Sequence, residues 1–302
     1  MKTAIEKVSW GGWSGCYRLS NDHVEAVLVA GIGPRILHFG FRDGQNMFYV
    51  RQADLGGSAE PEFRLRGGHR IWIAPEDRTM TYHADNLPAH VELDGSAITA
   101  TAPVEPGTGV VKSIRFELHD DAPRATVTHT LTNTLAFEIE LSPWALTMMA
   151  AGGTAFTGYP PRGAHPECLS PTHPLVMWAF SDLSDPRWTF TRKYLMLRQD
   201  PGNAAPTKLG LFHRDTWGAY LLGTDLFVKR FTAEPGLPYP DMGCSYETFT
   251  NDFTLELETL GPLTRVKPGA SVTHVERWDL HRGVVIPSFD DATLDAVFLP
   301  KL

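Results

Sequence analysis

The sequence predicts an all-β protein built as a large antiparallel β-sandwich. Short strand-like runs recur at close spacing, turns rich in Gly and Pro separate them, and helical periodicity is scarce. This combination is typical of antiparallel sandwiches and barrels. No internal repeat and no linker divides the chain, so we expect a single domain over residues 1–302. About 15 strands in one domain require large sheets that curl or pack in pairs.

The individual elements follow from alternation and from turn residues. The Gly- and Pro-rich turn at 31–34 separates two apolar runs and indicates a hairpin. Residues 124–134 alternate cleanly between an apolar and a Thr-rich face, which is typical of a strand. We expect long loops over 150–176 and 233–245 and a short helix near 290–297. The predicted strands cover 24–29, 35–41, 89–101, 110–119, 124–134, 137–147, 190–198, 207–213, 217–222, 225–232, 253–260 and 271–280.

Composition excludes several classes of function. The net charge of −8 and the absence of a basic run argue against a nucleic-acid-binding protein. Cys16, Cys168 and Cys244 are far apart and odd in number, so neither a disulfide framework nor a zinc motif is indicated. The first residues lack a secretory h-region, and no apolar run reaches the ~18 residues of a membrane span. We therefore expect a cytoplasmic protein without a membrane partner.

Residues 253–262 hold the most informative pattern. Apolar residues alternate with Thr254, Glu256 and Glu258, so one face of the strand is core and the other carries two carboxyls. Their Cα atoms lie one pleat apart, roughly 6.5–7 Å. When two like charges lie at this distance, their repulsion should raise the pKa of one carboxyl. Sites that move protons use this arrangement. The alternative is a solvated edge strand.

A second cluster, residues 64–76, combines two glycines with arginines, a histidine and a tryptophan. Arg66 and Arg70 supply planar donors for hydroxyl, carboxylate or phosphate groups. Trp72 offers a face on which a pyranose ring can stack. His69 is a candidate proton donor. The alternative is a glycine-kinked strand whose charged side chains face water.

Two further stretches hold candidate binding residues. His83 lies in the polar run 81–88, for which an Asx-type turn is the alternative. Asp241 and Glu247 lie in the acidic, aromatic stretch 239–252, which leads into the two-glutamate strand, and we expect them to line the same cleft. A solvated loop is the alternative there.

Metal and nucleotide chemistry have little support in the sequence. The pairs His83/Asp85 and His165/Glu167 have i,i+2 spacing without a third ligand nearby. Neither a G-x-S-x-G elbow nor a P-loop is present, which disfavours a serine triad and ATP chemistry. We predict neither a metal nor another cofactor.

Three stretches resemble the galactose mutarotase-like (aldose 1-epimerase) superfamily. Residues 24–41 resemble its opening strands around a glycine-rich turn. Residues 66–72 are similar to the Arg-Gly-Gly-x-Pro motif of the hexose-6-phosphate epimerase branch. Leu257-Glu258-Thr259, followed by the Pro268-Gly269 turn, resembles the motif that carries the family's general base. The resemblance spans most of the chain in order.

The resemblance implies a β-supersandwich that binds a small-molecule carbohydrate, with Glu258 as the base that takes the anomeric O1 proton. The family's general acid is a histidine in a His-Pro-Tyr-Phe-like strand. The corresponding stretch here is Ser142-Pro143-Trp144-Ala145, without a histidine. We therefore expect the acid elsewhere, with His69 first and His83 second.

In this hypothesis Glu256 raises the pKa of its neighbour or binds a hydroxyl, and Arg66 and Arg70 hold the sugar. Two alternatives stay open. One is another carbohydrate reaction on the same fold, such as hydrolysis or β-elimination, although neighbours on one strand do not easily flank a glycosidic bond. The other is a non-catalytic sugar-binding protein, which the missing histidine fits.

Overall fold

A computed structural model of the chain describes residues 2–302, and 21 strands account for most of its regular structure. The first ten strands are β1 Ala4–Trp10, β2 Trp13–Ser20, β3 Val24–Val29, β4 Arg35–Phe41, β5 His69–Ala74, β6 His90–Asp94, β7 Ala97–Thr101, β8 Val110–Leu118, β9 Arg124–Asn133 and β10 Ile139–Met149. The others are β11 Thr154–Gly158, β12 Leu175–Met177, β13 Trp188–Phe190, β14 Tyr194–Arg198, β15 Thr207–Leu211, β16 Asp215–Leu222, β17 Asp225–Thr232, β18 Tyr246–Thr250, β19 Leu255–Leu260, β20 Thr264–Val266 and β21 Ser271–His281.

Two antiparallel sheets form the sandwich, as the alternating strands predicted. The first sheet has the order β1-β2-β3-β4-β5-β10-β19-β18-β15-β12, with β20 paired to β10. The second has the order β13-β14-β11-β16-β17-β21-β9-β8-β7-β6. The all-β sandwich prediction is confirmed.

A shared hydrophobic core lies between the two sheets. Phe39 of the first sheet packs at 5.5 Å from Trp278 and 6.0 Å from Phe227 of the second, measured between ring centroids. Phe48 and Phe116 complete this aromatic cluster. Aromatic pairs of this geometry add about 0.5–1.5 kcal/mol each beyond the apolar area they bury. A core built from both sheets is compatible with the single domain predicted over 1–302, which stays a prediction.

Helix is confined to short segments. Asp290 caps the helix α2, Asp291–Phe298, by accepting a hydrogen bond from the Thr293 backbone N–H. This helix matches the one expected near 290–297. A four-residue segment, α1 Pro240–Gly243, contains left-handed backbone at Asp241 and Met242. Short 3₁₀ turns lie at Gln52–Asp54 and Leu299–Lys301, and neither α-helix of residues 2–302 is long and apolar enough to cross a membrane.

Several loop predictions were wrong in detail. The predicted loop 150–176 contains β11 and the start of β12, and 89–101 is a hairpin of β6 and β7 that turns at Gly95. The stretch 239–252, expected to be a loop, contains β18. The strands β1 and β2 at the N-terminal end were not predicted. Polar side chains on both faces of β18 hid its strand pattern, because both faces are buried in protein.

Candidate functional site

Strand β19 lies in the middle of the first sheet, between β10 and β18. It is therefore a central strand, which overturns the alternative of a solvated edge strand. Leu255, Leu257 and Thr259 face the inter-sheet core, where the Thr259 hydroxyl contacts His274 of the second sheet. Strict alternation turns Glu256 and Glu258 to the opposite, outer face of the sheet.

The strand register collects polar side chains on this outer face. Glu258 lies opposite Glu247 of β18 on one side and opposite Leu146 of β10 on the other. Glu247 in turn lies opposite Gly210 of β15, and Leu146 lies opposite Arg70 of β5. One row across five strands thus brings residues distant in sequence onto one surface. We call Glu247, Glu256, Glu258 and Lys208 the carboxylate cluster.

Lys208 of β15 joins two of these carboxyls. Its Nζ lies 2.7 Å from Glu247 Oε2 and 2.8 Å from Glu258 Oε2, over the ring faces of Trp144 and Trp178. Burial lowers the pKa of the Lys208 ammonium, but the two carboxylates outweigh burial and raise it above its ordinary value. Lys208 is therefore a fixed cation, not a proton donor at neutral pH.

Two donors bind one carboxyl oxygen of Glu258. Trp144 Nε1 donates to Glu258 Oε2 at 2.7 Å, in addition to the Lys208 ammonium. Hydrogen bonds to the charged form of a carboxyl favour that form. Glu258 Oε1 has no hydrogen-bond partner among residues 2–302 although it is sealed from solvent. Glu247 Oε1 is likewise buried without a hydrogen-bond partner among the described residues, so Glu258 Oε1 is one of two unengaged acceptors in the cluster.

Glu256 differs from Glu258 in exposure, and its own pKa is raised. Its side chain is only partly covered, whereas Glu258 and Glu247 are fully buried. Burial, followed by repulsion from Glu258, raises the pKa of Glu256 to about 8. The repulsion expected from the sequence is present, but desolvation is the larger cause. Glu256 is thus largely a protonated carboxylic acid at neutral pH and can donate a proton.

Glu247 is the second carboxyl whose protonation is favoured. Burial, despite the attraction of Lys208, raises its pKa well above the ordinary value, and the charges of Glu258 and Asp241 act in the same direction. The influence of Asp241 agrees with the expectation that Asp241 and Glu247 border the same region. Gly210 has no room for a side chain, because a Cβ there would lie 2.5 Å from Cys244 Sγ and 3.1 Å from Glu247 Cγ.

Aromatic rings line the β5 side of the cluster. Trp72 packs against Trp144 at 5.0 Å and against Tyr82 at 5.4 Å between ring centroids. Tyr82 is partly exposed, and its hydroxyl donates to Glu76. Trp72 Nε1 is buried without a hydrogen-bond partner among residues 2–302. Trp72 is 5% exposed and is covered by Trp144, Tyr82 and Arg70, so its ring has no free face for the stacking role predicted from the sequence.

Arg70 is engaged by protein groups. Its guanidinium lies between Phe63 and Trp72 and donates to Asp85 Oδ2 at 2.8 Å, while Arg35 binds the other oxygen of Asp85. Burial raises the pKa of Asp85, but Arg35 and Arg70 outweigh burial and hold it well below its usual range. Burial also lowers the pKa of Arg35 to about 9. By binding both arginines, the Asp85 carboxylate holds the Arg70 guanidinium against the Trp72 ring.

Three predicted site residues lie elsewhere. His69 lies opposite Thr147 on the inter-sheet face, so the expectation that it is the acid beside Glu258 was wrong, because strand alternation places the sheet between them. Arg66 is buried and bound to Glu60, Asn86 and the Asp54 backbone, where it ties loops together. His83 packs against Gly107 in the loop between β7 and β8 of the second sheet.

His69 belongs to a polar cluster inside the core. Its Nε2 lies 2.6 Å from His129 Nε2, and burial lowers the pKa of His69. His69, His129 and Glu276 present donor atoms within 4.8 Å of one another, the spacing of a metal site. Lys229 Nζ lies 2.7 Å from Glu276 Oε1, and Trp278 Nε1 donates to Oε2 at 2.8 Å. Because each donor already has a protein partner, we assign no metal here.

Sequence reasoning missed Lys208, Trp144 and Trp178 as site residues. A lysine within the apolar run 207–211 was the available signal for Lys208, because a lysine in a buried strand needs a buried partner. Trp144 stands in the stretch where the family histidine was sought, and it provides the N–H donor to Glu258. Trp178 follows β12 and had no distinguishing pattern.

Comparison with solved structures identifies the fold. A galactose mutarotase-like protein from Lactobacillus casei matches 88% of this chain and 100% of its own, with 13% identity and a TM-score of 0.56. A "putative aldose 1-epimerase" from Klebsiella pneumoniae matches 99% of this chain and 86% of its own, with 14% identity and a TM-score of 0.62. A galactose mutarotase related enzyme from Lactobacillus acidophilus has 10% identity and a TM-score of 0.56 over 89% of this chain and 98% of its own. No protein-family model and no curated protein matches the chain. The chain has the galactose mutarotase-like fold, as the sequence resemblance implied, in a divergent form.

Proposed function

We propose that the protein is a carbohydrate-active enzyme that interconverts the anomers of an aldose, with the carboxylate cluster as its acid–base machinery. The observation that carries this proposal is the pair Glu256 and Glu258, one pleat apart on one face, in which the pKa of Glu256 is raised and Glu258 accepts hydrogen bonds from Trp144 and Lys208. A pair of carboxyls whose environments separate their charge states can supply an acid and a base at the same pH.

The proposed reaction needs one proton removed and one delivered. Once the side chains that seal Glu258 Oε1 move aside, this oxygen takes the proton from the anomeric O1 hydroxyl while the bond from C1 to the ring oxygen breaks. Glu256 donates its proton to that ring oxygen, which gives the open-chain aldehyde. Rotation about the C1–C2 bond and reversal of both transfers closes the other anomer. General acid–base help of this kind contributes about 10²–10⁴-fold.

This assignment replaces His69 by Glu256 as the acid. Glu256 is the partly exposed member of the cluster, so a sugar that enters from solvent meets it first. Tyr82, which is 38% exposed, offers a ring face for the pyranose. We retain Arg70 as a residue that positions the Trp72 ring through Asp85, and Asp241 as a residue at the rim of the site.

The charge of the cluster supports an uncharged sugar as the substrate. Three carboxyls surround one ammonium, and Arg70 is already paired with Asp85. A phosphorylated or acidic sugar would bring a further negative charge next to Glu258, which is unfavourable in a buried site. We therefore propose a neutral small-molecule carbohydrate as the partner. The cytoplasmic location stays a prediction from the sequence.

A non-catalytic sugar-binding protein is the second candidate. The observation that favours it is the engagement of Glu258 Oε2 by two donors in a sealed position, which leaves a single oxygen for chemistry. In that case the glutamates would hold hydroxyl groups, and no turnover would occur.

The test is NMR exchange between the α and β anomers of glucose, galactose and other neutral aldoses. The wild type should accelerate exchange, and Glu258→Gln and Glu256→Gln should each reduce the acceleration by about 10²-fold or more. Glu140→Gln, an exposed position on β10, is the matched control and should keep full activity. If the wild type binds a sugar without accelerating exchange, the binding-only alternative replaces the enzyme proposal.

A further inference from the structure

A groove of about 1000 Å³ opens on the outer face of the second sheet, on the side of the sandwich opposite the carboxylate cluster. The outer face of β16, β17 and β21 forms its floor, and residues 158–162 and the C-terminal residues Leu299 and Leu302 form its walls. Lys229 and Glu276 point into the core, so alternation turns Arg230 and Arg277 outward into this groove. A groove of this volume suits a small organic molecule.

The groove floor holds more positive charge than its partners neutralise. Arg230 and Arg277 lie directly opposite each other on β17 and β21, a placement that is unfavourable for like charges. Both share Asp279 with Arg124, at 2.6 Å for Arg230, 3.5 Å for Arg277 and 2.6 Å for Arg124. Three guanidinium groups thus surround one carboxylate, which leaves two positive charges.

Other charges in the groove do not cancel this excess. Arg162 and Arg192 add two further guanidinium groups to the lining. Asp215, Asp291 and Asp295 also line the groove. Asp295 is bound by Lys193 and by the Tyr194 hydroxyl. Asp215 and Asp291 offset the charges of Arg162 and Arg192, so the excess of two positive charges remains. The net charge of the chain is −8, so this cluster of arginines has a charge opposite in sign to that of the protein as a whole.

The pKa of Arg277 agrees with an excess of positive charge on the groove floor. Burial, together with repulsion from Arg124 and Arg230, lowers the pKa of Arg277, although Asp279 acts in the other direction. An anion placed between Arg230 and Arg277 would remove this repulsion. Since two positive charges remain unmatched, a dianion fits better than a monoanion.

We infer that this groove binds a small organic phosphate. A phosphate ester carries about −1.5 to −2 charges at pH 7 and accepts the paired N–H groups of arginine in a bidentate manner. The phosphate would lie against Arg230 and Arg277. The organic part would lie on Tyr159 and Trp217, which also line the groove. This site is separate from the carboxylate cluster, so the inference does not depend on the function proposed above.

The test uses phenyl phosphate as the probe, with inorganic phosphate and citrate in parallel, by isothermal titration calorimetry at low salt. We expect one saturable site for phenyl phosphate, with weaker binding of inorganic phosphate and of citrate. Arg277→Gln and Arg230→Gln should each weaken binding by about 10-fold or more, the effect of losing a charge-assisted hydrogen bond. Arg277 is the more exposed of the two, so its variant keeps the test valid if Arg230→Gln fails to fold.

Two control variants make the outcome specific. Arg265→Gln removes an exposed arginine of the first sheet, and Glu258→Gln alters the carboxylate cluster, so both should bind phenyl phosphate as the wild type does. Absence of saturable binding at millimolar concentrations, or equal weakening by Arg265→Gln, overturns the inference. Tighter binding of citrate overturns the phosphate assignment. Concentration-dependent dimerisation that Arg277→Gln abolishes would assign the groove to a second copy of the chain.

Discussion

Replacing Lys208 by methionine is the sharpest test of the carboxylate cluster. Methionine keeps most of the side-chain volume and removes the ammonium, which lies 2.7 Å from Glu247 and 2.8 Å from Glu258. All three side chains are almost fully buried, with exposed fractions of 6%, 1% and 0%. The variant therefore leaves two carboxyls in the protein without their countercharge.

The expected loss follows from the cost of an uncompensated buried charge. Breaking a buried ion pair by removing one partner costs about 3–5 kcal/mol, a large fraction of the roughly 5–15 kcal/mol that stabilises a typical domain. Glu247 would respond by taking up a proton, so its pKa, which burial already raises, rises further above the unfolded value. The folded variant then binds more protons than the unfolded chain, and the loss should be largest at pH 8 and smaller at pH 5.

Urea denaturation of wild type and Lys208→Met at pH 8 and pH 5 measures both effects. Lys193→Met is the matched control, because the Lys193 side chain is 54% exposed and its ion pair with Asp295 should contribute less than about 1 kcal/mol. Adding Glu247→Gln to Lys208→Met should recover part of the loss. A loss for Lys208→Met no larger than that of the control at pH 8, or a loss that grows on acidification, would refute the reasoning.

Three further predictions concern single residues. Because burial raises the pKa of Glu256 to about 8, the acceleration of anomer exchange should fall above pH 8, and Glu256→Gln should abolish this fall. The thermal stability of the wild type should decrease between pH 5 and pH 8, since the folded protein holds a proton on Glu256 that the unfolded chain releases. Glu256→Gln should remove this decrease as well. Asp85→Asn should cost about 3–5 kcal/mol in urea denaturation at pH 7. Since its two arginines lower the pKa of Asp85, the wild-type advantage over this variant should be complete above pH 4 and decline below it, and a constant difference would contradict the assignment. His69→Gln should lower stability by about 1–3 kcal/mol without changing the pH dependence of exchange, whereas a changed profile would return His69 to the site.

The sequence predicted the fold well because strand periodicity is a local property. Residues 124–134 and 253–260 alternate, and β9 and β19 have the expected faces. The strand β18 was missed because it carries polar side chains on both of its buried faces, Glu247 on one and Thr248 on the other, which removes the apolar–polar alternation. Such burial depends on tertiary packing, and no window of the sequence records it.

The site was only partly predictable for the same reason. Glu256 and Glu258 belong to one strand, so alternation alone places them on one face. Lys208 reaches Glu258 from a strand two positions away in the sheet, a proximity that depends on the register of β18 against both neighbours. His69 was misplaced because the direction of its side chain depends on where β5 begins, and two glycines with positive φ angles, Gly67 and Gly68, precede that point.

The alternation of β19 also specifies how this part of the chain must fold. A slip of one residue in its pairing would exchange the two faces, moving both glutamates toward the apolar inter-sheet core and expelling Leu257 to the surface. The misaligned hairpin would then carry two desolvated charges without Lys208 beside them. The carboxyls that form the site therefore also destabilise the shifted register relative to the correct one. Replacing both glutamates by leucine should remove this difference, and the chain should then populate more than one register of β19.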